Sequence, residues 1–138
     1  MNIHLSSALG LVLCAGLAAC STTKDAGELT QKNVEYTCGT DGQQALSVQY
    51  TFQGNEPIGA KVVYKDQAID LNRETSGKAD IVGNTFKGNG YTWSTQKFTL
   101  ENVGSVSGDM LTQDGTQTVN GNKVAVSNIL AKQCKVRS

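Results

Sequence analysis

Two cysteines, Cys38 and Cys134, constrain this chain more than any other feature, because almost everything able to fold lies between them. A bond joining them would close nearly the whole domain into one covalent loop, and the chain entropy so removed from the unfolded state grows with loop length. Val34-Glu35-Tyr36-Thr37-Cys38 reads as the first strand of the domain, tied by that bond to the other end.

The pairing follows from what stands in front of it. Residues 1–19 hold an apolar core, residues 9–17, that is too short to span a bilayer and ends in small residues, as a secretory signal does. Leu17-Ala18-Ala19-Cys20 matches the bacterial lipobox, in which the cysteine is diacylated and becomes the new N-terminus; an ordinary signal with a chance cysteine is the alternative. On the lipobox reading Cys14 leaves with the signal and Cys20 carries lipid. Cys38 and Cys134 then remain as one pair in an exported protein, where disulfides persist. The expected organisation is a lipoprotein signal peptide over 1–19, the lipidated Cys20 with a flexible tether over 20–32, and a single domain over 33–138. Ser21 after the cysteine resembles Gram-negative lipoproteins sent on to the outer membrane, facing either the periplasm or the outside.

Composition then removes whole classes of chemistry. The one histidine is His4, inside the segment expected to be cleaved. A histidine-free domain with both cysteines paired has no Ser-His or Cys-His mechanism and no zinc site of the usual nitrogen and sulfur kind. No metal, no cofactor and no enzymatic activity are expected, although the acidic residues leave a carboxylate glycosidase formally open. Twelve basic and twelve acidic side chains cancel, which argues against nucleic acid as a partner.

The folded part reads as strands between turns, with no helical period. Leu46, Val48, Tyr50 and Phe52 alternate with polar residues, and Asp41-Gly42 before them suits a hairpin turn. Ala60, Val62 and Tyr64 resume the alternation, Lys65-Asp66-Gln67 turns the chain, and Ala68-Ile69-Asp70-Leu71 returns. A polar connection over 72–78 leads to a strand through Ile81, Val82 and Phe86, and Asn89-Gly90 turns into Tyr91 and Trp93, which share a face. Residues 98–103 and 106–111 are expected to pair around Gly104, and Asp114-Gly115 and Asn120-Gly121 to mark two more turns before a last strand toward Cys134. The expected fold is all-β: a small antiparallel β-barrel of about eight strands, closed by one disulfide, its interior filled by side chains.

Tyr36-Thr37-Cys38 followed by Gly42, the strand Val48-Gln49-Tyr50, the hairpin from Ala60 to Leu71, Asn84-Thr85-Phe86 with Gly90-Tyr91, and a lone cysteine before a basic C-terminus together resemble the adhesin complex protein family. That family is similar to the membrane-bound inhibitors of C-type lysozyme, which are eight-stranded barrels of the bacterial envelope. The resemblance implies a protein that blocks host C-type lysozyme by inserting a loop into its active-site cleft, with binding to the host cell surface as an adhesin the other reading.

In the inhibitors the inserted segment carries Ser-Gly followed by Tyr, and a Lys after a downstream Trp. Here Ser76-Gly77 is followed by Lys78-Ala79-Asp80 without the tyrosine, and Lys97 comes after Trp93. The resemblance therefore implies lysozyme contact through Ser76, Gly77 and Lys97, with Lys78, Lys87 and Tyr91 as further candidates on the same segment. For Tyr91 and Trp93 core packing is the competing role.

Overall fold

The computed structural model describes residues 28–75 and 83–137, and within them the chain is almost entirely antiparallel sheet. Nine strands follow in order: β1 (Leu29–Cys38), β2 (Gln44–Gln53), β3 (Glu56–Tyr64), β4 (Gln67–Arg73), β5 (Asn84–Gly88), β6 (Tyr91–Thr95), β7 (Gly108–Val119), β8 (Asn122–Lys132) and β9 (Lys135–Val136). Each of β1 to β7 pairs with the next, and β9 returns to the outer side of β1. The connections explain the meander. Lys65-Asp66, Asn89-Gly90 and Asn120-Gly121 each place two successive residues in the left-handed region, the backbone of the primed turns whose twist suits a hairpin.

Alternation puts one face of every strand inside. Val34, Tyr36 and Cys38 on β1, Leu46 to Phe52 at every second position on β2, Ala60 and Val62 on β3, and Ile69 and Leu71 on β4 all point into one core. Phe86, Trp93, Leu111 and Ala131 continue it across β5 to β8. The concave side is thereby packed with rings: Tyr50 lies 4.8 Å from Phe98 and 5.7 Å from Phe86, and Tyr36 meets Trp93 edge-on at 5.3 Å. The filled interior leaves little room for a carried small molecule.

The sheet is an open half-barrel of nine strands, not the closed barrel of about eight expected from the sequence. The reason lies at its two edges. β9 has only two residues, enough to pair with Tyr36 and Thr37 of β1 but too few to form a ladder with β8 as well. Near the disulfide Cys38–Cys134 the gap is bridged by single bonds: Gly39 N–H to the Lys132 carbonyl at 2.7 Å, and the Tyr64 hydroxyl to the Leu130 carbonyl at 3.0 Å. The expected bond between the cysteines is present, and it fastens a seam that the backbone does not zip.

Two other expectations change. Residues 96–107 form a loop, not a strand pair; its short 3-10 turn Val103–Ser105 and its buried Phe98 and Val103 plug the open side of the core. Asp114-Gly115 is not a turn but lies within β7, paired with Ser127 and Val126. A Cβ at Gly115 would come within 2.7 Å of only the Asn128 amide, the end of an exposed side chain, and the ladder runs straight through the glycine without a reversal. β1 begins at Leu29, ahead of the residues whose alternation marks it in sequence, because its first half is exposed and polar yet still pairs with β2 as far as Gln53.

Trp93 Nε1 donates to the Tyr50 hydroxyl at 2.8 Å, and the Tyr50 and Tyr36 hydroxyls share a bond of 2.7 Å. Burial pushes the Tyr36 hydroxyl up to about 12, against the opposing effect of its bond to Tyr50. Burial also raises Tyr50 well above its ordinary value, helped by repulsion from Tyr36. Tyrosines of the unfolded chain ionise near pH 10, so between pH 10 and about 12 the unfolded state binds fewer protons than the folded one. Stability from this pair is full below pH 10 and is lost as pH rises through that window. Urea midpoints are expected to hold from pH 7 to 9 and to fall steadily from 10 to 12, with part of the fall removed in Tyr36→Phe; a midpoint flat across the upper range would contradict the assignment.

Candidate protein-binding cleft

One end of the sheet gathers polar groups around an opening. β4 ends at Arg73, β5 begins at Asn84, β3 begins at Glu56, and the loop after β6 carries Lys97, Thr99 and Asn102. Together with Phe98 these seven residues line a cleft of about 250 Å3.

Arg73 is an inward-facing position, since Ile69, Leu71 and Arg73 alternate on β4. Its side chain is only 9% exposed, and its guanidinium donates to the Glu56 carboxylate at 2.9 Å and to the Pro57 carbonyl at 3.2 Å. Glu56 is 75% exposed, so the pair places a held cation inside the rim and an acid outside it. Charge-assisted bonds of this kind fix geometry as well as contributing energy.

The opposite wall is rigid for local reasons. The Asn102 side chain accepts from the Thr99 N–H at 2.7 Å, the Leu100 N–H is held by Asn55 at 3.1 Å, and the Ser105 hydroxyl donates to the Asn102 carbonyl. Phe98 inserts between Tyr50 and Phe52. Lys97 is therefore carried on a backbone pinned on both sides, next to Gln96, whose carbonyl accepts from Thr95 at 2.8 Å and from the buried Asn84 at 3.4 Å. A backbone held in this way loses little freedom on meeting a partner.

Of the residues implied by the resemblance, the structure places Lys97 at this cleft and the other two described ones elsewhere. Lys87 is exposed in mid-strand on β5, and Tyr91 lies half-buried at the far end of the β5–β6 hairpin, accepting from Gln113 Nε2 at 3.2 Å. Thr95, at the cleft end of β6, is four steps from Tyr91, roughly 13 Å at the rise of a strand. Ser76, Gly77 and Lys78, like Cys20, lie outside the described residues. The described chain stops at Thr75 and resumes at Gly83, both at the cleft end, where Glu74 N–H bonds the Thr85 carbonyl. Trp93 is fully buried and belongs to the core.

Arg73 is the residue that sequence reasoning passed over, having placed it in a polar connection. The signal was there: an arginine continuing the inward period of Ile69 and Leu71.

A model of the ACP-like domain (Nm-ACP) matches residues 32–136, from within β1 through β9. This chain belongs to the ACP-like domain family. No curated protein and no solved structure matches it. The ACP-like domain takes in both cysteines, the aromatic core and every residue of the cleft. On the family the match agrees with the resemblance to adhesin complex proteins; the further likeness to lysozyme inhibitors has no matching relative beside it.

Proposed function

We propose that this ACP-like domain is a bacterial envelope protein that binds host macromolecules, and that its principal target is C-type lysozyme, which it inhibits by occupying the active-site cleft. The observation that carries this reading is Lys97, held on a rigid wall beside Arg73 at the end of the sheet where the 76–82 connection departs and returns. Lysozyme works with two carboxylates of different protonation in a groove, so a blocker must fill the groove and offer those acids a cation or donors. A stiff sheet presents such groups at low ordering cost. The protein performs no reaction of its own on this reading, and needs no metal or cofactor.

Purified protein titrated against hen or human lysozyme is expected to inhibit in a saturable one-to-one manner. Lys97→Ala is expected to weaken inhibition roughly tenfold, as loss of a charge-assisted contact does. Singly replaced Ser76, Lys78 and Lys87 divide the remaining surface between the 76–82 connection and β5. Inhibition left intact by all four variants would remove the contact assignment. No inhibition by the native protein would remove the lysozyme reading altogether and leave adhesion, which is measured as binding to epithelial cells with lysozyme absent.

The anchor is proposed with it. Cys20→Ser is expected to move the protein from the outer-membrane fraction to the soluble one.

A further inference from the structure

The two-stranded ribbon of β7 and β8 runs beyond the barrel. Among the described residues nothing pairs with the outer side of β8, and residues 122–128 lie past its last core contact at Leu130 and past the single bonds that bridge the seam. Natural sheets blunt such edges with prolines, bulges, several lysines or short length. Residues 122–128 have one lysine and no proline, and the only irregularity of the ladder lies lower, between Leu111 and Thr112. One face of this stretch is apolar and uncovered: Val124 is 44% exposed and Val119, across the ribbon beside Asn122, is 45% exposed, with Val126 half-buried two residues further along β8.

The sequence of the edge fits itself. Paired antiparallel with an identical strand about Ala125, residues 122–128 set Asn122 against Asn128, Lys123 against Ser127, Val124 against Val126 and Ala125 against Ala125. Every polar residue meets a polar one and every valine a valine. The two copies of Lys123 fall at opposite ends, each facing a serine, so no like charges oppose. The strand has no acidic side chain that would favour a basic partner instead.

We propose that residues 122–128 of β8 are a self-association edge, joining two copies of this chain through antiparallel β8–β8 pairing about Ala125. The join makes a four-stranded ribbon with four valines of β8 clustered at its centre and Val119 of each copy flanking them on the same face. A two-fold pairing of this kind is closed and stops at the dimer. The contact is small, so it forms at high concentration and is weak when the protein is dilute.

Sedimentation velocity from about 1 μM to about 1 mM is expected to show a monomer passing to a dimer, as a small interface allows. Val124→Lys is expected to abolish that passage, while Thr116→Lys, adding the same charge on β7 facing the other way, leaves it. Ala125→Cys treated with a short bis-maleimide is expected to give covalent dimer roughly tenfold faster than Thr116→Cys, which carries the same remaining cysteines but sits one strand from the axis. Equal cross-linking rates overturn the proposal whether or not a dimer is seen. Protection, in a strictly monomeric sample, of those amides of residues 122–128 that point away from β7 also overturns it, by showing that a segment of the same chain covers the edge.

Discussion

Replacing Cys134 with serine is expected to lower the unfolding free energy by about 4 to 5 kcal/mol, the chain-entropy value for a loop of the size closed here. The bonded cysteines are 96 residues apart, so the loop contains seven of the nine strands, β2 to β8. A small domain is stable by only about 5 to 15 kcal/mol in total, and the loss would leave this one marginal at body temperature. Geometry makes the effect larger here than in a closed barrel. The two edges of the sheet share no ladder, and the seam keeps only a few single hydrogen bonds, such as Gly39 to the Lys132 carbonyl and Tyr64 to the Leu130 carbonyl. Urea unfolding of native and Cys134→Ser protein measures the difference; a loss under about 1 kcal/mol would mean that these bonds and the plug of Phe98 and Val103 hold the seam without the covalent clasp.

The second large effect is expected at a single oxygen. Tyr50→Phe removes the hydroxyl that accepts from Trp93 Nε1 and bonds Tyr36, leaving two buried polar groups without their shared partner. Each stranded group costs about 1 to 3 kcal/mol, so the variant is expected to lose roughly 2 to 5 kcal/mol although its ring still packs. Tyr36→Phe is the control. It leaves Trp93 bonded to Tyr50 and is expected to cost about half as much or less. Near-equal losses in the two variants would show that ring packing rather than the hydroxyl relay sets the cost.

The strands of the core were legible because period-2 alternation and turn chemistry agree over β2 to β4 and over β6, where Leu46 to Phe52 and the Asn89-Gly90 turn leave little choice. The loop 96–107 was misread because Phe98 and Val103 are apolar for burial as a plug, a role that local pattern cannot separate from a strand. Gly115 was misread because Asp-Gly is a turn signal in local sequence, whereas the long ladder with β8 carries the chain straight through it. Closure was overestimated for a different reason. Strand count is written in local pattern, whereas ladder formation between β8 and the β9–β1 edge depends on two residues at the very end of the fold.

At the cleft the cation Lys97 could be picked out by resemblance, but its wall could not. Asn102 comes from the loop after β6 and the consecutive Asn55 and Glu56 from the β2–β3 turn, and they meet only after folding. Residues 101–114 hold Glu101, Asp109 and Asp114 with no basic residue, and residues 119–138 hold Lys123, Lys132, Lys135 and Arg137 with no acid. The β7–β8 pairing lays the two stretches side by side, with Asp114 against Ser127 and Met110 against Lys132.

Gly108 leaves a final consequence. A side-chain carbon there would strike the Trp93 ring at 2.6 Å and touch the Cys134 Cβ at 3.4 Å, so the indole and the Cβ of the bonded Cys134 border the same methyl-sized space. An oxidised sulfur pair at such range drains the excited state of an indole, so the intact molecule should be dim under ultraviolet light and brighten when reduced. With Trp93 the only tryptophan in the sequence, the protein carries its own lamp for the state of its clasp.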